Sequence, residues 1–160
     1  MAERVFTQSF SVVGAIIEKE GKIFLVKENQ GADKGKWNQP AGWLDVGEDP
    51  VVAIKREVKE ETGFDFEPTS LVGIYSLVRK DRLPMTGYTP HALKLIFKGN
   101  ISGTNHDSNE EIAEVRWFGK EEILKMGTDQ LRDEDIKQEV EDYFAGRSFP
   151  LDIIRHTVQK

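Results

Sequence analysis

Apolar runs alternate with polar, glycine-containing segments along the chain of 160 residues. The β-branched run at residues 10–18 predicts a strand buried on both faces. A turn at Glu20 and Gly21 and a second apolar run at 22–27 follow it, so we expect these two strands to form a hairpin. Three further strands are predicted at residues 71–79, 91–98 and 114–118, with polar loops at 29–36, 80–90 and 99–109.

The middle of the chain predicts a helix with clear signals at both ends. Asp49 is a good N-cap, and Pro50 suits the first helical position, where a missing N–H has no cost. Gly63 suits the left-handed residue that ends a helix. Two later helices are predicted at residues 119–126 and 132–145. Strands around a central helix, with helices after the last strands, indicate a mixed α/β sandwich, with several topologies open.

Composition and charge exclude several classes of protein. The chain is 38% hydrophobic and 31% charged, which is typical of one globular domain, and we expect a single domain over residues 1–160. The net charge of −6 makes it a poor binder of long nucleic acid. It has no cysteine, so disulfides and thiol chemistry are excluded. No apolar run is long enough for a membrane span, and residues 1–9 lack a signal-peptide core, so we expect a cytoplasmic protein.

Three carboxylates share one face of the predicted helix. Glu57, Glu60 and Glu61 are spaced i, i+3, i+4, so they lie within about 100° of one another. Like charges at this spacing repel, and no lysine lies four residues away on the same face, so we expect an external cation to compensate them. Oxygen ligands suit Mg²⁺ or Mn²⁺. Taken alone, the pattern is more typical of a solvated, Glu/Lys-rich amphipathic helix, because such helices are common.

The residues around these carboxylates distinguish the two interpretations. The order Gly42, five residues, Glu48, seven residues, then REVKEETGF at residues 56–64 matches G-x5-E-x7-R-E-U-x-E-E-x-G-U, where U is apolar, at every specified position. Each of the seven fixed residues has a background frequency of roughly 5–7%, so a chance match is rare. On this motif at residues 42–64 (the box), the chain resembles the Nudix hydrolases.

The resemblance implies a fold, a reaction and a set of residues. The fold is a mixed β-sheet between helices, with the box as a loop–helix–loop. The reaction is attack of water on a phosphorus of a diphosphate, assisted by Mg²⁺ or Mn²⁺. The resemblance assigns metal binding to Glu57, Glu60, Glu61 and the Gly42 carbonyl, with Glu60 and Glu61 also catalytic. It assigns an orienting role to Glu48 and Arg56, which could otherwise be an ordinary surface ion pair.

The general base is left open by the resemblance. Some family members use a glutamate of the box, and others use a glutamate from a loop near the last strands. Asp107, Glu110 and Glu111 lie in such a loop here, and we choose Glu111 from this set. The alternative is an acidic loop that is simply solvated.

Residues upstream of the box and in later loops are candidates for substrate binding. Trp37 could stack on a base while Asn38 and Gln39 hydrogen-bond to its edge; alternatively, Trp37 belongs to the core. Lys36 and Arg79 could contact phosphates, as could their basic neighbours Lys34, Lys80 and Arg82, although each could also be ordinary surface charge.

Short segments outside the box narrow the resemblance. The segments at residues 37–48, 116–118 and 149–154 look like those of Nudix phosphatases that act on hydroxymethylpyrimidine pyrophosphate and nucleoside di- and triphosphates. ADP-ribose pyrophosphatases usually have a proline where Val78 stands, and dinucleoside polyphosphate hydrolases a tyrosine near Lys80. We therefore expect a small nucleotide-like diphosphate as substrate.

Other functions remain as alternatives. Non-catalytic nucleotide-sensing Nudix modules typically lose box glutamates, and this chain keeps all of them. RNA-decapping relatives would be expected to have a basic arm, which the acidic composition does not favour. We expect no membrane partner, and either a monomer or a homodimer.

Overall fold

The computed structural model describes residues 9–87, 89–105 and 110–159. Within these ranges the strands are β1 (Ser9–Ile16), β2 (Glu18–Lys19), β3 (Lys22–Glu28), β4 (Trp37–Asn38), β5 (Ala41–Trp43), β6 (Asp65–Val78), β7 (His91–Ser102) and β8 (Ile112–Gly119). The helices are α1 (Pro50–Thr62), α2 (Leu83–Thr86), α3 (Lys120–Lys125) and α4 (Ile136–Phe144). Short 3-10 turns occupy Gly31–Asp33, Lys80–Arg82 and Leu151–Ile153.

The strands form two sheets. The first has the order β5-β1-β7-β6; β1 runs parallel to β7, and the other pairs are antiparallel. In the second sheet, β3 pairs antiparallel with β2, β4 and β8. The first sheet is therefore mixed, and β1 lies at its centre between β5 and β7.

The turn of the predicted hairpin is confirmed, but it joins β3 to the short strand β2 and not to the long first strand. Glu20 and Gly21 both have positive φ, 53° and 77°, and Lys19 pairs with Lys22 across them. The long first strand does not take part, because residues 9–16 pair with β5 and β7 in the other sheet. A run that is apolar on both faces is suited to such a central position, so the chain changes sheets between β1 and β2.

Alternating side chains on the strands supply two cores. In β3, Ile23 and Leu25 belong to a cluster that also contains residues of α3 and α4. Phe24 and Val26, on the opposite face, pack in a cluster with α1. The sheets therefore lie between α1 on one side and the C-terminal helices on the other, which confirms the predicted sandwich of helices around a mixed sheet.

Helix α1 has the predicted ends. The Val51 N–H donates to the Asp49 carboxylate at 2.7 Å, and Pro50 is the first helical residue. Gly63 ends the helix with φ 77°, and its N–H donates to the Lys59 carbonyl at 2.9 Å. In the described part of the chain, no helix is long and apolar enough to cross a membrane.

Removal of the Asp49 cap should destabilise the fold. We expect Asp49→Ala to lower the free energy of unfolding by about 1 kcal/mol, because the Val51 N–H loses its acceptor. Asp49→Ser is the matched control, since a hydroxyl can accept the same hydrogen bond. Urea unfolding measures both variants, and equal midpoints for Ala and Ser would contradict the role of the cap.

Candidate functional site

A cavity of about 630 Å³ lies where the C-terminal half of the box meets the first sheet. The box contributes Gly42, Trp43, Glu57, Glu60 and Glu61 to its lining. Strands β1, β6 and β7 contribute an apolar side with Phe10, Val12, Leu77 and Ala92. Several charged side chains from other parts of the chain complete the lining: Glu28, Asp33, Arg79, Arg82, Lys94, Glu111, Arg132 and Asp133. A cavity of this size can hold a small organic ligand.

Three consecutive residues of β5 contact three side chains of α1. The Ala41 N–H donates to the Glu61 carboxylate at 3.0 Å. At Gly42, a Cβ atom would lie 2.1 Å from the Glu57 carboxyl carbon, so the Glu57 carboxylate occupies the space that any larger residue would fill. The glycine of the motif is therefore required here for close approach of the carboxylate, since its backbone needs no positive φ.

Arg56 links the loop and helix of the box. Its Nε and Nη2 donate to the two oxygens of Glu48 at 2.8 and 2.9 Å, and Nη2 also donates to the Trp43 carbonyl at 3.2 Å. The hydrogen bond from Arg56 is the main cause that lowers the pKa of Glu48. The two side chains that the family resemblance pairs are thus in bidentate contact.

Arg56 also corrects the expectation that the carboxylate face has no internal countercharge. Its Nη1 donates to Glu57 at 2.6 Å and to Glu60 at 3.2 Å. A search for lysines at i+4 misses this contact, because a long arginine side chain reaches both the next residue and the residue one turn later. One guanidinium therefore offsets part of the repulsion on this face.

The remaining carboxylate lies deeper. Burial raises the pKa of Glu61 well above its ordinary value, and the Ala41 N–H opposes this only in part. Burial also raises the pKa of Glu57, with Arg56 opposing it. Glu60 is about half exposed, with 54% of its side-chain surface accessible. A cation would offset the cost of keeping the buried groups ionised.

The donor set fits a hard divalent ion that keeps part of its hydration shell. The box carboxylates and the Gly42 carbonyl offer only oxygen, which suits Mg²⁺. Among the described residues, no three acidic or histidine side chains converge into a complete metal cage. Mg²⁺ commonly binds through one or two carboxylates together with water and phosphate oxygens, so an incomplete protein cage is compatible with it.

The substrate-binding residues proposed upstream of the box are not all at the cavity. Trp37 is only 8% exposed, lies with its ring centroid 4.8 Å from that of Phe118, and is absent from the lining. This corrects its predicted role, because a ring packed in the core has little free face for a base. Gln39 is also buried, and its amide donates to Glu139 rather than reaching the cavity.

Asn38 lines the cavity, and its Nδ2 donates to Glu28 at 3.1 Å. Arg79 also lines it, but Lys36 does not, which corrects the prediction of a phosphate contact from Lys36. Glu111 lies at the cavity, whereas Glu110 does not. The third candidate base of that loop, Asp107, lies outside the described residues.

The exposed aromatic side chain of the cavity is Trp43, which the sequence-based reasoning did not single out. Its ring lies edge-on to Phe10 with centroids 5.0 Å apart, and 54% of the residue is exposed. Neighbouring residues of a strand face opposite sides, and Gly42, next to Trp43, faces α1. This alternation was the sequence signal that could have identified Trp43. Glu28, Asp33 and Arg132 were also missed, and no local motif marks them.

Comparison with known proteins agrees with the box. A model of the NUDIX domain matches residues 7–140. The protein named Phosphatase NudJ from Shigella boydii is 34% identical over 143 residues, covering 89% of this chain and 88% of its own length. A NUDIX hydrolase from Nitrosomonas europaea superposes with a TM-score of 0.82 at 35% identity, covering 94% of this chain and 98% of that one.

A structure described as an ADP-ribose pyrophosphatase, from Streptococcus suis, is similar with a TM-score of 0.65 at 26% identity, covering 88% of this chain and 94% of that one. The matches extend well beyond the box and include both sheets and α1. This chain belongs to the Nudix hydrolase family and is, by that membership, a pyrophosphohydrolase.

Proposed function

We propose that this enzyme hydrolyses, with Mg²⁺, a diphosphate linkage in a nucleoside di- or triphosphate or a similarly small nucleotide-like pyrophosphate. The observation that supports this most directly is the position of the box carboxylates. Glu57, Glu60 and Glu61 open onto one cavity together with an exposed tryptophan, Trp43. A site for phosphate-bound metal and a surface for an aromatic ring thus share one space of about 630 Å³.

The box residues have distinct proposed tasks. Glu57, Glu60, Glu61 and the Gly42 carbonyl would hold Mg²⁺, which when bound supplies charge neutralisation of phosphate oxygens and a more acidic water. Arg56 orients two of these carboxylates and is itself held by Glu48. This fixed arrangement matters because displacement of a metal-binding carboxylate by about 1 Å can reduce a rate a hundredfold.

Two groups are candidates for the proton acceptor. Glu111 lines the cavity from outside the box, so it could accept a proton from the attacking water. Glu61 is the alternative, since burial already raises its pKa toward the range of a useful base. We retain Glu111 as the proposed base, because Glu61 is also a proposed metal ligand.

Trp43 and Phe10 are the proposed contact for the ring of the substrate. Trp43 replaces Trp37 in this role, because Trp43 has an exposed ring in the cavity lining and Trp37 does not. Stacking on an aromatic ring tolerates several bases, and stacking alone would therefore select a ring rather than one particular base.

A substrate panel tests the proposed function. Nucleoside di- and triphosphates, hydroxymethylpyrimidine pyrophosphate, ADP-ribose, UDP-sugars and dinucleoside polyphosphates would be assayed with Mg²⁺ for released phosphate and pyrophosphate. We expect the highest kcat/KM among the compounds with one ring and a short phosphate chain. A clear preference for the two-headed substrates would contradict the proposal.

Loss of a box carboxylate should reduce catalysis without unfolding the chain. We expect Glu60→Gln and Glu61→Gln each to lower kcat by about a hundredfold, because each removes a charged oxygen from the proposed metal site. Both variants should also lose part of the rise in Tm that we expect Mg²⁺ to produce in the wild type. Chelation by EDTA should abolish turnover.

Lys55→Gln is the matched control for these variants. Lys55 lies on the same helix, but its ammonium pairs with exposed Glu67 at 2.7 Å, away from the cavity. Lys59 would be a poorer control, since it donates to the Gly63 carbonyl at the helix end. Wild-type rates in Glu60→Gln and Glu61→Gln, or full activity in excess EDTA, would overturn the metal assignment.

Gly42→Ala tests the close approach of strand and helix. The new Cβ would lie 2.1 Å from the Glu57 carboxyl carbon, so the flexible Glu57 side chain must move. We expect kcat to fall at least about tenfold and the Mg²⁺ concentration for half-maximal activity to rise. The fold should survive, because the displaced atoms belong to the end of a side chain.

Gly47→Ala serves as the control for Gly42→Ala. Gly47 lies in the loop between β5 and α1 with φ 83°, and a Cβ there would meet nothing within 4 Å. Alanine at this φ should cost about 1 kcal/mol of stability and leave the Glu57 carboxylate in place. An Mg²⁺ dependence of Gly42→Ala equal to that of Gly47→Ala would contradict a role for Gly42 in the site.

A further inference from the structure

A second group of charged side chains lines the same cavity and comes from outside the box. Among the described residues it consists of four cations and six carboxylates that they contact, which we call the paired-charge cluster: Arg79, Arg82, Lys94 and Arg132, with Glu28, Asp33, Asp81, Asp133, Asp135 and Glu139. All four cations belong to the cavity lining, as do Glu28, Asp33 and Asp133.

Asp33 joins the three arginines of the cluster. Arg82 Nη2 donates to one oxygen of Asp33, and Arg79 Nη2 lies 3.9 Å from that oxygen. Arg132 Nε lies 3.4 Å from the other oxygen. Arg132 also donates to Glu28 at 2.8 Å. Asp33 is largely buried, with 14% of its side chain exposed, so these contacts are only weakly screened by solvent.

Asp133 joins Arg79 to Lys94. Arg79 Nη1 donates to Asp133, and its Nε and Nη2 donate to the two oxygens of Asp81 at 2.9 and 2.8 Å. Lys94 lies 3.6 Å from Asp133 and 2.7 Å from Glu139, and its side chain is 3% exposed. Each cation of the cluster therefore already contacts at least two carboxylates.

The charge of the cluster is negative, despite its arginines. Four positive and six negative side chains give a formal charge of −2. Burial raises the pKa of Glu139, and the neighbouring Lys94 ammonium opposes this. An anionic group of a ligand would meet carboxylates that already hold the guanidinium donors, and like charges in such surroundings repel strongly.

A separate observation concerns hydrogen-bond donors. Asn38 lines the cavity and is 2% exposed. Its Nδ2 donates to the Glu28 carboxylate, and this fixes the orientation of the amide. Its Oδ1 is buried with no hydrogen-bond partner among the described residues. A buried acceptor without a donor is costly, so this position favours a ligand that supplies an N–H or O–H.

We propose that the paired-charge cluster selects the part of the substrate beyond the phosphates, and that Asp33 and Asp133 are specificity-determining residues. The cluster accepts an uncharged or cationic ring substituent that donates hydrogen bonds, and it rejects a second anionic group. This inference rests on the proposed function, which places the phosphates at the box carboxylates and the ring beside Trp43.

Three substrates that differ in one charge test this selection. Uridine 5′-diphosphate carrying a 5-aminomethyl, a 5-hydroxymethyl or a 5-carboxy group offers a cation, a neutral donor or an anion on the same ring. With the wild-type enzyme and Mg²⁺, we expect kcat/KM for the carboxy compound to be at least about tenfold below that of the hydroxymethyl compound. The aminomethyl compound should equal or exceed the hydroxymethyl compound.

Two variants assign the selection to named residues. Asp33→Asn and Asp133→Asn each remove one negative charge of the cluster, so each should reduce the discrimination against the carboxy compound by about threefold or more. Glu134→Gln is the matched control, since Glu134 is adjacent in sequence and exposed, and it does not line the cavity. Its discrimination should equal that of the wild type.

The outcomes separate this inference from the proposed function. Equal kcat/KM for all three compounds in the wild type, or a preference for the carboxy compound, would overturn the inference alone. Discrimination unchanged in folded Asp33→Asn and Asp133→Asn would overturn their assignment. Absence of turnover with all three uridine compounds, in an enzyme that hydrolyses a member of the substrate panel, would overturn the inference alone. Absence of turnover with the whole panel would overturn the proposed function and this inference with it. If an aspartate variant fails to fold, the wild-type series still decides.

Discussion

The close approach of strand β5 to helix α1 is the constraint on which the site depends. Ala41, Gly42 and Trp43 each meet a different side chain of the helix: Glu61, Glu57 and Arg56. Strand β5 is held in turn by pairing with β1, where Gly42 lies opposite Val13. The helix is held by its apolar side against the same sheet. The positions of the carboxylates therefore follow from packing of the sheet and helix, and a single added carbon at Gly42 is enough to disturb them.

The features that the sequence predicted well are those with local causes. The ends of α1 match the prediction because Asp49, Pro50 and Gly63 act through the backbone of their immediate neighbours. The pairing of Glu48 with Arg56 spans only eight residues along the chain and belongs to one motif. The turn at Gly21 was likewise predicted, whereas the partners of β1 were not, because residues 91–98 and 41–43 are distant in sequence.

The features that were missed depend on contacts between distant segments. Trp37 lies in the core beside Phe118, in a cluster that includes residues of α4, and the sequence around Trp37 left this open against a role in stacking. The last helix starts at Ile136, later than predicted, and Arg132 and Asp133 before it line the cavity. There Arg132 pairs with Glu28, 104 residues earlier, and Asp133 with Arg79, 54 residues earlier. The helical periodicity of the sequence cannot show that side chains of the predicted first turn are engaged in ion pairs with such distant residues.

The electrostatics of the cavity show why its two groups of charges would act differently on a substrate. At the box, the single guanidinium of Arg56 contacts Glu48, Glu57 and Glu60, and Glu61 lies beside them, so negative charge is in excess. In the paired-charge cluster the carboxylates also outnumber the cations, but each cation is enclosed by partners. In the proposed function, a divalent ion offsets the negative charge of the box carboxylates, so that an anionic diphosphate can bind beside them. The carboxylates of the cluster are already held by its cations, so on the proposed selection its effect on a ligand would be exclusion of further negative charge.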